Sequence, residues 1–349
     1  MKDDKWRSVL ATVRSRRVSA VLCVPILLGL LVSLVATPSF AQSGLDLDTE
    51  IKPFAAQVAK EHGVDEARVL EVVAGARILP KVLKAMSRPA EDKQWHEYRP
   101  IFLTEKRIAQ GVVFWNKHAT LLESAKSRFG VSEEVIVAII GVETFYGRRA
   151  GNIRVLDALA TLGFRFPRRA AFFRRELGHY MVLSQTESLD VTRVNGSYAG
   201  AMGIPQFIPS SYREYAVDFD GDGRRDLIDS VADSIGSVAA YFSRHGWIDT
   251  DPVAVRAKVN GEVPPALQGK GLKPYSTVGE FAAAGVSSEV RIDSQRRAAL
   301  IRLDGRKGTE HWLGFNNFYV ITRYNRSPLY AMAAYQLAQA IAERRRSGG

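Results

Sequence analysis

The chain has 349 residues and a formal net charge of +11. A composition of 46% hydrophobic and 24% charged residues excludes an intrinsically disordered chain, and the length supports a sizeable core in one large or two to three ordinary domains. Cys23, the one cysteine, lies in an N-terminal apolar run, so the rest of the chain offers no disulfide and no cysteine-ligated metal.

Arg14, Arg16 and Arg17 precede VSAVLCVPILLGLLVSLVA, and Ser39-Phe40-Ala41 follows. A basic region, an apolar stretch and a small-residue site are the parts of an export signal, with cleavage expected after Ala41. An uncleaved anchor is the alternative for so long a stretch. Cys23 has its apolar residues after it, whereas a lipoprotein signal needs them before. A periplasmic protein with no lipid anchor and no further membrane span is therefore expected. Residues 1–41 hold six Lys/Arg and two Asp/Glu, which leaves +7 on the remainder. That balance suits an anionic partner such as a cell-wall polymer or an acidic lipid, and export disfavours nucleic acid.

In chain order, Ile51 to Ala76 is helical by period, with Phe54, Val58, Val69, Leu70 and Val73 recurring at three and four. Pro80 to Pro100 reads as broken by prolines and carries Trp95 and Tyr98. Thr104 to Phe129 is helical again. Ser132, Glu133 and Glu134 supply an N-cap and acidic first turn for a helix running to Gly147. Leu156–Leu162 and Arg168–Leu183 follow as helices. Asn195 to Ser211 holds no period, and Ser230 to His245 is helical. From Asp251 to about Val320, VAVRAKV, ALIRLDG and FNNFYVIT have strand-like composition, so a small β-rich insertion is expected. Ser327-Pro328 then starts a last helix that ends on Arg344 to Arg346.

Four stretches carry the chemistry. The run VSEEVIVAIIGVETFYG, residues 131–147, has no convincingly polar face yet ends near Glu143. A carboxylate at the negative end of a buried helix is expected to have a raised pKa, as a general acid requires. From position alone, an ion pair of Glu143 with Arg148 or Arg149 is the plainer reading. The second stretch, GSYAGAMGIPQFIPSSY at 196–212, offers Tyr198, Gln206 and Phe207, whose planes and amides suit sugar rings.

The third stretch begins Asp218-Phe219-Asp220-Gly221-Asp222-Gly223 and fits positions 1, 3, 5 and 6 of an EF-hand loop. Arg224 falls at position 7. Asp229 replaces the usual Glu at position 12, and Asp233 would close a longer loop. A structural Ca²⁺ is expected, because three such close carboxylates repel without a cation. The fourth stretch, FYVITRYNRSPLYAMAAYQLA at 318–338, gathers Tyr324, Asn325 and Tyr330. The basic run RFPRRAAFFRRE, residues 165–176, reads as a solvated helix face. HExxH, G-x-S-x-G, P-loop and dinucleotide fingerprints are all missing from the sequence.

Together, GVETFYG, LDALATLGF with PRRAAFF, GSYAGAMGIPQFIPSSY, DFDGDGRRDLID, IGSVAAYFSRHGW and FYVITRYNRSPLYAMA resemble the lytic murein transglycosylases of the membrane-bound lytic transglycosylase B family. The likeness runs from about Tyr98 to Leu337. It implies a mainly α (α+β) fold: an N-terminal helical domain at 42–110, a lysozyme-like core at 111–250, a β-rich domain at 251–317 and a substrate-lining segment at 318–349. It implies cleavage of the β-1,4 bond from N-acetylmuramic acid to N-acetylglucosamine in peptidoglycan strands, with the sugar's C6 hydroxyl attacking C1 to give a 1,6-anhydro end. Other cell-wall enzymes are possible partners, and no organic cofactor is implied. Glu143 matches the single acid/base. Tyr98, Ser197, Gln206, Tyr241, Tyr324, Asn325 and Tyr330 match positions lining the groove. A hydrolytic muramidase and a non-catalytic peptidoglycan binder are the alternatives. Phe145 and Tyr146 depart from the family pattern, standing where a basic residue and a tryptophan are expected.

Overall fold

The computed structural model describes residues 44–87 and 93–348, and the expected export signal lies outside them. Helices α1 (Lys52–His62) and α2 (Glu66–Ala74) are parted at Gly63, whose φ of 68° closes α1 in the left-handed region. Asp65 caps α2 by accepting from the Ala67 N–H. The stretch expected to be broken by prolines instead holds α3 (Pro80–Met86) and α4 (Trp95–Phe102). Pro80 takes the first turn, where a missing N–H costs nothing, and α4 ends two residues after Pro100. His118 divides the next run into α5 (Glu105–Lys117) and α6 (Ala119–Phe129), and α5 continues unbroken through residues 110 and 111.

Helix α7 (Glu133–Thr144) is the centre of the core. Val135, Ile136, Val137, Ala138, Ile139, Ile140, Gly141 and Val142 are all buried, so the helix is apolar on every side, as a fully surrounded helix must be. Ser132 occupies its N-cap position but makes no side-chain capping bond. Each fully buried aliphatic side chain contributes about 1.5–3 kcal/mol. The helix end is thereby fixed in place.

Strand β1 (Ile153–Arg154) pairs antiparallel with β2 (Asn195–Gly196) across α8 (Val155–Arg165) and α9 (Ala170–Thr186). After α10 (Pro209–Tyr215) and α11 (Val231–Arg244) comes the expected β-rich insertion. It contains β3 (Ala254–Val259), β4 (Ser276–Thr277), α12 (Val278–Ala283), β5 (Val286–Ser288), β6 (Arg297–Gly305) and β7 (Gly308–Gly314). The sheet order is β4-β6-β7-β3-β5, every neighbouring pair antiparallel. Val278, Phe281, Val286, Leu300, Leu313 and Phe315 help form a small core of its own.

FNNFYVIT departs from the strand expectation: it forms α13 (Asn316–Tyr324). Its composition is strand-like, but Asn317, Phe318, Ile321 and Thr322 are buried at helical spacing. Asn317 then fixes the helix to the preceding segment, accepting from Ile248 N–H and donating to the Ile248 and Asp251 carbonyls. Tertiary contacts override the local preference. Helix α14 (Pro328–Ser347) packs against α4, α5, α7 and α13, with Ser327 capping it through the Tyr330 N–H.

Candidate active site

The end of α7 is built by aromatic residues in an unusual backbone. Phe145 and Tyr146 both have positive φ, 52° and 63°, a conformation costing about 1–3 kcal/mol for each non-glycine residue. Packing offsets that cost. The Tyr146 ring lies where a Cβ on Gly141 would stand 2.7 Å away, and its hydroxyl would be 2.6 Å from a Cβ on Gly111. The hydroxyl donates to the Arg107 carbonyl at 2.8 Å. Two glycines inside helices α5 and α7 therefore make the slot for one tyrosine.

Glu143 is half-buried, less enclosed than its helix suggested. The Tyr330 hydroxyl donates to Glu143 Oε1 at 2.5 Å. Burial, then the Glu143 charge and the Tyr324 hydroxyl, push the Tyr330 pKa far above its ordinary value. Tyr330 therefore keeps its proton and remains a donor. Arg149 lies with its guanidinium 5.2 Å from the Phe145 ring centroid.

Thr144 ties this end to the glycine-rich loop. Its hydroxyl donates to the Ile204 carbonyl at 2.8 Å and accepts from Gly147 N–H at 2.9 Å. Gln206, at φ 55°, donates its side-chain amide to the Ala150 and Gly203 carbonyls. Its amide oxygen takes no part in those two bonds. The Tyr324 hydroxyl donates to the Pro205 carbonyl of the same loop. Ser197 Oγ accepts from Ala199 and Ala201 N–H, so it staples its own turn and retains its proton as a donor.

A cleft of about 640 Å³ gathers Gln206, Tyr241, Tyr324 and Asn325 with Arg169, Phe172, Phe207 and Arg323. Glu143 is not in its lining; it is joined to the cleft through Tyr324, whose ring is parallel to Tyr330 at 6.5 Å. Tyr241 donates to the Arg323 carbonyl at 2.6 Å and packs edge-on to Tyr324. Asn325 accepts from the Ser327 N–H at the start of α14. Tyr98 is buried against Phe102, away from the cleft lining but among the groups acting on Tyr330. The predicted residues thus form two connected groups, one around Glu143 and one around Gln206.

The acidic loop is separate. Carboxylate oxygens of Asp218, Asp220 and Asp222 all lie within 4.8 Å of one another. Backbone N–H groups orient them: Gly221 and Gly223 donate to Asp218, Asp222 to Asp220, and Arg224 to Asp222. Hard oxygen donors at this spacing fit a Ca²⁺ ion. Asp233 is fully buried and accepts from Phe219 and Asp226 N–H, both at 2.7 Å. It therefore braces the loop from behind. Asp229 and Arg224 are exposed; the Asp229 carboxylate is not among the three that converge, and Arg224, at the seventh loop position, would offer its backbone carbonyl.

Sequence reasoning did not single out Thr144 or Arg107, which brace the end of α7. Gly111 and Gly141, mid-helix glycines with a cost relative to alanine, were the available signal of a close approach there.

A mostly helical scaffold whose glutamate is joined through Tyr324 to an aromatic and amide-lined cleft fits an enzyme of lysozyme-like build that acts on glycans. The family described as Transglycosylase SLT domain matches residues 46–339. Membrane-bound lytic murein transglycosylase B of Escherichia coli (strain K12) is 44% identical over 299 residues, covering 83% of this chain and 81% of that protein. The structure of SltB1 from Pseudomonas aeruginosa is similar at a TM-score of 0.80 and 47% identity, over 85% of this chain and 98% of that one. Escherichia coli lytic transglycosylase Slt35 in complex with calcium is similar at a TM-score of 0.77 and 44% identity, over 87% of this chain and 96% of that one. The chain belongs to the SLT lytic transglycosylase family, and it is a lytic murein transglycosylase acting on peptidoglycan glycan strands.

Proposed function

We propose that Glu143 is the sole acid/base of this enzyme, which breaks the β-1,4 bond from N-acetylmuramic acid to N-acetylglucosamine and leaves a 1,6-anhydro end. The observation that carries the proposal is the Tyr330 hydroxyl held 2.5 Å from Glu143 Oε1. Glu143 gives its proton to the leaving glycosidic oxygen as the C1–O bond breaks. The resulting carboxylate is the form that Tyr330 stabilises. It then takes the proton of the C6 hydroxyl as that oxygen bonds to C1. The proton returns to Glu143, and no water is consumed.

One carboxylate suffices because the nucleophile is part of the substrate. Two carboxylates are the rule where an enzyme nucleophile or an activated water is needed. An intramolecular hydroxyl arrives already positioned. Gln206, Tyr241, Tyr324 and Asn325 hold the strand in the cleft, with Ser197 donating at the loop and Tyr98 supporting Tyr330. Arg169 and Arg323 line the same cleft and favour an anionic polymer.

Asp218, Asp220 and Asp222 would hold a Ca²⁺ ion, which would neutralise the loop and stabilise it against opening. The relative Slt35 is a calcium complex, which supports this reading. No helix among the described residues is long and apolar enough to cross a membrane, and the export signal read from the N-terminal sequence supports a periplasmic enzyme. The test is digestion of purified murein with mass spectrometry of the released sugars. Anhydro ends are expected; reducing ends would show that water is the nucleophile and overturn the intramolecular step.

A further inference from the structure

One cationic feature beside Glu143 takes no part in the steps above. Arg107 on α5 is 9% exposed, with its guanidinium 5.2 Å from the Phe102 ring centroid and 5.3 Å from that of Phe145. The Phe145 ring also carries Arg149 at 5.2 Å. Phenylalanine therefore stands where the family pattern places a basic residue, and two guanidiniums have gathered on it.

Neither arginine makes an ion pair among the described residues. Arg107 Nη1 donates to the Ile101 carbonyl at 2.5 Å, while Nε is buried without a partner. A buried guanidinium is normally matched by a carboxylate, because an uncompensated charge is costly to desolvate. Here burial lowers the Arg107 pKa, the Tyr146 hydroxyl opposes that shift, and the like charge of Arg149 adds to it. Arg149 is exposed and reaches solvent. The buried member supplies a poorly screened positive potential, and the exposed member supplies a movable donor. That combination lacks one component, an anion from outside the chain.

Phe145 follows Glu143 by two residues in the chain, so a substrate bound at Glu143 is the candidate source of that anion. Tyr98, which packs on the Phe102 ring beneath Arg107, also acts electrostatically on the Tyr330 that touches Glu143. Murein strands carry carboxylates close to the cleaved bond, on the muramic lactyl group when bare and on the peptide stem when substituted. We propose that Arg107 and Arg149, gathered on Phe145, recognise a substrate carboxylate and set a preference for charged over charge-neutralised strands. The inference rests on Glu143 as the reacting group, and its test uses a ratio of rates that is independent of which ends are released.

The experiment compares kcat/KM on purified murein with that on the same murein after carbodiimide coupling of methylamine to its carboxylates. A parallel pair uses glycan stripped of peptides, with its lactyl carboxylates free or likewise amidated. The unmodified enzyme is expected to favour a charged substrate severalfold. A preference confined to the first pair assigns the anion to the stem, and one confined to the second assigns it to the lactyl group. Arg149→Gln is expected to lower that ratio about threefold, the scale of one exposed charge pair, with Arg149→Lys restoring part of it. Arg107→Gln is expected to lower it further, provided its melting curve shows a folded protein; otherwise Arg149→Gln decides. Equal rates on charged and neutral substrates would overturn the proposal. So would variants that slow both substrates by the same factor, which is the mark of a purely structural role.

Discussion

Two sets of carboxylates in this protein contrast sharply in how they are held. Glu143 ends an apolar helix, half-buried, with a tyrosine hydroxyl on one oxygen. Asp218, Asp220 and Asp222 lie at or near the surface, drawn together by backbone N–H groups of one loop. Low polarity around Glu143 suits a group that gains and loses a proton. Crowding in the loop suits carboxylates that share a cation. Chemistry follows from the surroundings, since the side chains differ by at most one methylene.

The largest effect expected from breaking this contrast is on Glu143: Glu143→Gln lowers turnover on murein by about 10²–10⁴-fold, the usual scale of general acid–base catalysis. Gly141→Ala tests the packing that fixes the helix end. Its Cβ would meet the Tyr146 ring at 2.7 Å, so the ring must move and stability falls by about 1–3 kcal/mol, read from urea unfolding. Calcium removal tests the other region. A chelator is expected to lower the melting temperature by roughly 5 °C, because an ion held in the folded loop stabilises by mass action. An unchanged melting curve would contradict an ion site there.

A pH effect gives the smallest change. Burial, then the neighbouring Arg213, lower the His179 pKa to about 4. Between that value and its ordinary 6.5, the unfolded chain binds a proton that the folded one refuses. Stability contributed by neutral His179 is therefore complete above pH 6.5 and lost as pH falls toward 4. His179→Asn is expected to flatten that part of the melting profile, and an unaltered profile would count against it.

Much of this was legible in the sequence, for identifiable reasons. Helix α7 announced its burial through an unbroken apolar run, and the acidic loop through side-chain oxygens at alternate positions. The Tyr330–Glu143 contact spans 187 residues of chain, so periodicity could not place it; the order of motifs in a family could only suggest it. Helix α13 was misread because Asn317 makes its decisive bonds to Ile248 and Asp251, outside the window that sets local propensity. The burial of Arg107 was invisible: an arginine on an amphipathic helix reads as surface until the fold encloses it beside Phe102 and Phe145. Phe145 and Tyr146 were noted as departures, but their left-handed backbone appears only once Gly111 and Gly141 open the slot beneath them.

The most direct test of the central claim compares the wild-type enzyme with Glu143→Gln on purified murein, measuring both soluble sugars released and protein cosedimenting with the wall. Anhydro-ended sugars from the wild type, release from the variant lowered by about a hundredfold or more and equal cosedimentation of the two are the predicted results. Undiminished release by a folded Glu143→Gln would show that another group carries the proton and contradict the account.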